Sequence, residues 1–440
     1  MATWQEEYKK KVISVDEALA KVKDNDHIIT GLGCGESRVF FRNLHKIADK
    51  VRNVTVTNCL PVENYEFFMN PEYNKNILSN TWFYSAGQRK IHPTGRVHFV
   101  PQHLHLALSK RMAHVHCNIF VGVATPPDKH GNMSLSLSVT YEKELLRQAD
   151  LVILEVNDQY PRTFGDTFIT VKDVDYIIEA SEQPAQVPSA IPDEKDKAIG
   201  KYIAELIEDG STIQLGIGGM PSALAKELVN KKDLGVHTEM FVDGMIDLIE
   251  AGALTGRKKT LYPDKIVCTF AMGTQRVYDF LDDNPMVLFK NGSWTNDPYV
   301  VGQNYKQVSI NATIEVDLGG QCCSESIGHR QFSGTGGSSD TAVGAQISKG
   351  GKSFMCLHST AMVKNPETGE REMKSKIVPL LTPGSVVSLS RNDVDFVVTE
   401  YGVAALRGTS VKERVDRLIA IAHPDFRDWL REESERLQLW

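Results

Sequence analysis

The chain carries one short pattern twice. Residues 24–33 read D-N-D-H-I-I-T-G-L-G, and residues 209–218 read D-G-S-T-I-Q-L-G-I-G. Each is a polar turn, a short strand rich in isoleucine and threonine, and a turn with two glycines. Each follows an amphipathic helix beginning at an acidic residue, Asp16 or Asp196, and each leads into another helix. Further on, residues 149–155 (A-D-L-V-I-L-E) match residues 394–400 (V-D-F-V-V-T-E). Two matches in the same order predict two domains of one fold, made by duplication. The competing explanation is that any two α/β domains share strand–turn–helix patterns.

The chain between these landmarks supports the same class. Strands are expected at residues 27–30, 54–57, 97–100, 118–123 and 151–156, with helices at about 39–44 and 141–149. Strands are also expected at residues 266–270, 308–310 and 353–357. Strands alternating with helices predict two similar open α/β domains with mostly parallel sheets flanked by helices. Pro184, Pro188 and Pro192 break regular structure in residues 181–195, so the domains are set at 1–185 and 192–440. Residues 333–340 read as a glycine- and serine-rich loop, and residues 364–374 as an exposed turn. The charged tail, residues 410–437, reads as helix broken at His423-Pro424.

Composition bounds the partners and the compartment. A net charge of −7 argues against a general nucleic-acid surface while leaving room for a local phosphate pocket. There are seven cysteines, none in a C-x-x-C pair, which suits a reducing cytoplasm. No apolar run of about 18 residues is present, so no membrane segment is expected.

The chemistry concentrates in residues 215–244. Gly216, Gly218 and Gly219 follow a strand and open a helix, where backbone can approach a ligand closely and free N–H groups can face an anion. A packing turn without ligand is the competing reading. So is a dinucleotide site, which would put an NAD-dependent dehydrogenase here. That motif requires a third glycine or alanine where Pro221 stands, although Glu239 falls near the distance of its ribose-binding acid. Glu239 lies in H-T-E-M-F-V-D-G, and apolar neighbours that desolvate a carboxylate raise its nucleophilicity. An arbitrary glutamate at a strand end is ordinarily a surface residue; the combination with a second glycine loop at residues 334–337 singles this one out.

The segments Q-L-G-I-G-G-M-P, G-V-H-T-E-M-F-V-D-G, F-S-G-T-G-G-S-S-D, S-K-I-V-P, S-R-N-D-V-D-F-V-V-T-E-Y-G and I-A-H-P-D-F-R resemble the acetyl-CoA hydrolase/transferase family. The likeness is greatest to 4-hydroxybutyrate and butyryl-CoA:acetate CoA-transferases, and it includes A-T-P-P-D-K-H-G-N and E-V-N-D-Q-Y-P-R-T-F-G-D in the first half. It implies a CoA-transferase with acyl-CoA and a carboxylate as substrates, no metal, no nicotinamide, and a homodimer or higher homo-oligomer. Glu239 is then the nucleophile, passing through an acyl anhydride and a glutamyl–CoA thioester. The resemblance further implies that Asn296 orients Glu239. It assigns oxyanion and CoA contacts to Gly216, Ile217, Gly218, Gly219 and Met220, to Gly334, Gly336 and Gly337, and to Lys364. For Asn296 and Lys364 a turn asparagine and a solvated lysine are the alternatives. An acyl-CoA hydrolase using the same site is the nearest alternative activity, and a CoA-binding regulator without catalysis another. Thr341 stands where the family pattern has phenylalanine, which bears on substrate choice.

By the internal repeat, Glu36 and Ser37 follow the first glycine turn and are candidates for a carboxylate pocket, with helix capping as the alternative. The pairs His103/His105 and His114/His116 lack a third ligand pattern for a metal. Cys34, without an evident histidine partner, reads as a packing residue.

Overall fold

A computed structural model describes residues 3–365 and 368–440. The chain forms two compact units, each built on an open sheet. In the first, seven parallel strands stand in the order Tyr176–Ala180, Leu151–Asn157, Ile119–Ala124, His27–Thr30, Val54–Asn58, Ile77–Thr81, Val97–Phe99. In the second the order is Gly235–Val236, Thr212–Gln214, Gln307–Ala312, Lys352–Cys356, Phe396–Thr399, Gly402–Ala405, with only the last strand antiparallel. Strands buried on both faces read as continuous apolar runs, and Ile119–Ala124 is buried throughout. One face of the first sheet packs Phe40, Phe41, Phe67 and Phe68 against Ile28, Val54 and Ile153. Each such side chain contributes roughly 1.5–3 kcal/mol by burial.

The repeated pattern has the same local build in both units. Asp24 Oδ1 accepts from the Arg52 N–H at 2.8 Å, and the Asn25 N–H donates to the Arg52 carbonyl at 2.9 Å. Asp209 Oδ1 accepts from the Lys232 N–H at 2.8 Å, and the Gly210 N–H donates to the Lys232 carbonyl at 2.9 Å. Asn25 and Gly210 both take left-handed backbone, φ 67° and 74°, as the two residue types that tolerate it most readily.

The second sequence match needs correction. Phe396–Thr399 lies beyond Lys352–Cys356, three places from Thr212–Gln214, and its counterpart in the first sheet is Tyr176–Ala180, not Leu151–Asn157. Asp175 Oδ2 accepts from the Val152 N–H of the neighbouring strand, and Asp395 Oδ2 accepts likewise from Ser353. Asp150 instead meets His116 and Asn118. An aspartate before an apolar strand recurs three times, and only the sheet neighbour tells the copies apart.

The boundaries 1–185 and 192–440 cut the chain once. The compact units also exchange later segments. The first comprises residues 1–188, 238–241 and 265–296, and the second comprises residues 189–237, 242–264 and 297–440. The residues read as a loop at 333–340 include the start of a helix, Ser338–Ile347, capped by Gly337. The turn at 364–374 is flanked by an antiparallel hairpin, Thr360–Lys364 with Arg371–Ser375; residues 366–367 of that segment lie outside the described residues. The tail forms helices Val411–Ala420 and Arg427–Arg436 on either side of Pro424.

Candidate active site

Glu239 is fixed by its backbone before its side chain does anything. It precedes the two-residue strand Met240–Phe241, which pairs in parallel with Phe270–Ala271. Its carbonyl accepts from the N–H groups of Thr269 at 2.9 Å and Phe270 at 3.0 Å. Phe241 anchors the strand by stacking on Phe280, ring centroids 5.8 Å apart. The Glu239 side chain is part-exposed, and its Oε2 accepts from Asn296 Nδ2 at 3.0 Å. Asn296 is wholly buried at the end of the short helix Gly292–Thr295, where its own N–H is used by the Gly292 carbonyl. The bond joins a buried amide to a part-exposed carboxylate, and a hydrogen bond to a charged group is among the stronger ones.

The first glycine turn reaches this region from the other side of the same unit. Met272 donates its N–H to the Phe241 carbonyl, and a Cβ on Gly33 would fall 2.9 Å from the Met272 sulfur. Gly33 has φ 52° and donates to the Cys59 carbonyl at 3.1 Å. Burial raises the Cys59 thiol well above its ordinary range, and the charges of Glu239, Glu142 and Glu36 raise it further. Three carboxylates thus act on one thiol.

Glu36 is buried, and its Oε1 accepts from the Tyr65 hydroxyl at 2.6 Å and the Val62 N–H at 2.9 Å. Burial pushes its carboxyl up to about 8 against those two bonds. Ser37 accepts from the Phe40 N–H as the cap of helix Arg38–Asn43 and donates to Glu155 at 2.8 Å. Glu142 is also buried and raised by burial, with Leu32 N–H and Ser138 Oγ donating to its Oε1. Nothing in the sequence marked Glu142 or Cys59, because their importance comes from chain folding and not from a motif.

In the second unit the turn at residues 216–220 borders a cavity of about 310 Å³. Gly218 is the N-cap of helix Gly219–Glu227 at φ 131°, and a Cβ on Gly219 would stand 2.2 Å from Asp196 Oδ2. Gly216, Ile217, Gly218, Gly219 and Met220 all line the cavity, with Asn311, His358 and Lys376. Gly334, Gly336 and Gly337 precede the helix Ser338–Ile347, with Gly336 at φ 55°. Lys364 is exposed at the end of its hairpin strand. Among the described residues, the cavity lining includes neither these three glycines nor Lys364. Lys376 was missed as a site residue although it stands in the S-K-I-V-P segment. Thr341, buried, shares hydroxyl contacts with Ser309 at 2.9 Å and Asn311 at 3.2 Å. A polar network thus surrounds the Thr341 hydroxyl.

Comparison with known proteins follows the same lines. The model of the acetyl-CoA hydrolase/transferase N-terminal domain matches residues 1–188, and that of the C-terminal domain matches residues 273–434. A succinyl-CoA:cyclohexane-1-carboxylate CoA transferase of Geobacter metallireducens is 42% identical over 442 residues, covering 99% of this chain and 97% of that protein. A 4-hydroxybutyrate coenzyme A transferase of Clostridium kluyveri is 40% identical, covering 98% and 99%. The crystal structure of RipA from Yersinia pestis superimposes with a TM-score of 0.91 at 32% identity, covering all of both chains.

Proposed function

The chain belongs to the acetyl-CoA hydrolase/transferase family, and from that premise we propose that it is a CoA-transferase exchanging coenzyme A between a short-chain acyl-CoA and a carboxylate. Butyryl- or 4-hydroxybutyryl-CoA with acetate is the pair we favour. The observation that carries the mechanism is the 3.0 Å bond from buried Asn296 to the part-exposed Glu239 carboxylate. A neutral amide orients a carboxylate through one of its oxygens, which a bidentate arginine would not.

Glu239 attacks the thioester carbonyl, the carbon–sulfur bond breaks, and CoA thiolate leaves an acyl–glutamyl anhydride. The thiolate then attacks the glutamyl carbonyl, expelling the donor carboxylate and leaving a glutamyl–CoA thioester. The acceptor carboxylate reverses both steps. No proton, metal or redox partner is needed for balance, and the thioester energy stays on the protein. The backbone N–H groups of the glycine turns, Gly218 and Gly219 with Met220, and Gly334 with Gly336, are the donors we assign to the oxyanions and the coenzyme.

Incubation with acyl-CoA and no acceptor should add CoA covalently to Glu239, seen by intact mass and peptide mapping. An active enzyme without the adduct would rule the covalent route out. The hydrolase alternative uses the same intermediate with water, and thioester loss measured with and without acetate separates the two. We place the enzyme in the cytoplasm as a homodimer or higher homo-oligomer, to be checked by fractionation and light scattering. Among the described residues no helix is long and apolar enough to cross a membrane.

A further inference from the structure

The cavity beside the Gly216 turn stands at the carboxyl ends of Thr212–Gln214 and Gln307–Ala312. From Thr212–Gln214 the chain next builds Gly235–Val236 on one side of the sheet and later Gln307–Ala312 on the other. That reversal of strand order is where open parallel sheets present a crevice for ligands. Beside the buried thiol of Cys356, three side chains of the acidic or basic types line it: Asp196, His358 and Lys376.

Two of the three are committed to one another. Asp196 Oδ1 meets His358 Nε2 at 2.9 Å, and Asp196 Oδ2 accepts the Asp193 N–H at 3.2 Å. Lys376 differs. Its backbone is tied on both sides, by the N–H to the Ser359 carbonyl and by its carbonyl to the Val316 N–H. Its ammonium has neither a hydrogen bond nor an ion pair among the described residues. The nearby Glu400 is taken by Lys195 at 3.1 Å and by the N–H and hydroxyl of Ser359. Burial, with Lys195 adding to it, holds the Lys376 ammonium below its ordinary range despite Glu400. A rigidly mounted, half-desolvated charge lining a cavity gains from an anion that enters it.

We propose that Lys376 receives an anionic oxygen of the acyl-CoA in the Gly216 cavity, as a substrate-binding residue distinct from Lys364. The proposal rests on the transferase reading above. The oxygen is that of a coenzyme phosphate, because the acyl end of a butyryl thioester carries only a neutral carbonyl.

The test compares wild type, Lys376→Met and Lys376→Arg in full-length protein. CoA binding is followed by calorimetry, and transfer is followed with butyryl-CoA and with butyryl-pantetheine, which has no phosphate. The methionine variant should melt near wild type, bind CoA or turn over butyryl-CoA at least about tenfold more weakly, and be partly rescued in the arginine variant, the loss expected of one charge-assisted hydrogen bond. A KM effect on butyryl-CoA alone supports the phosphate contact of Lys376; an equal loss with both substrates would overturn it. Unchanged CoA affinity and unchanged KM for both substrates in a well-folded methionine variant would overturn the role of Lys376. Absence of transfer by wild type that still binds CoA through Lys376 would instead overturn the transferase reading.

Discussion

Asn296 donates to Glu239 from a helix end with no exposure to solvent, while the carboxylate it holds reaches part-way into solvent. The pair is therefore rigid on one side and accessible on the other. Replacing Asn296 with alanine should lower kcat about 10- to 100-fold, the range for one hydrogen bond to a charged group. The melting temperature should move little, and Asn296→Asp should be worse than alanine because two carboxylates repel. Steady-state kinetics and the rate of adduct formation check this together.

Glu36 offers a pH test of stability. Its folded carboxyl sits at about 8 against the usual 4.5. Between those values the folded state holds a proton that the unfolded state has lost. Its contribution is fully present below pH 4.5 and disappears as pH climbs through 8. Glu36→Gln, which keeps the neutral form, should gain melting temperature relative to wild type between pH 5 and pH 9. A pH-independent difference between the two would contradict the buried neutral carboxyl.

The Gly216 turn can be separated into packing and binding. A Cβ at Gly216 meets nothing within 4 Å, whereas one at Gly219 meets Asp196. Gly216→Ala should leave thermal stability near wild type and weaken CoA binding, measured by calorimetry, because the methyl group occupies the cavity. Equal affinity in that variant would make the turn a packing device. Gly219→Ala should lose stability as well.

The aspartates that brace neighbouring strands should differ in weight. Asp395 is buried and holds the Ser353 N–H, so Asp395→Ala strands a buried donor and should cost about 1–3 kcal/mol in chemical denaturation. Asp175 makes the same bond at the surface, where water replaces it. Asp175→Ala should therefore cost visibly less.

What the sequence made legible was local. The strand at residues 27–30, its twin at residues 212–214 and the helix at residues 141–149 followed from periodicity and turn residues. The bond between residues 239 and 296 was expected only through family likeness; a separation of 57 positions along the chain puts it beyond spacing arguments. Lys376 stood in a quoted motif, yet nothing in S-K-I-V-P distinguishes an ammonium with a partner from one without. The false pairing of residues 149–155 with 394–400 has the same origin. Apolar strands after an aspartate look alike until their neighbours are known.

The interleaving of the two units has a consequence for biosynthesis. A ribosome that has delivered residues 1–188 has not delivered the first unit, which still lacks residues 238–241 and 265–296. The stacked pair Phe241 and Phe280 and the short strands beside it arrive only after the Thr212–Gln214 strand and the Gly219–Glu227 helix of the other unit have emerged. The growing chain must therefore keep an unfinished first half soluble while it begins the second. A fragment ending at the proline-rich stretch would hold all seven strands of the first sheet and lack residues 238–241 and 265–296, with Glu239 and Asn296 among them.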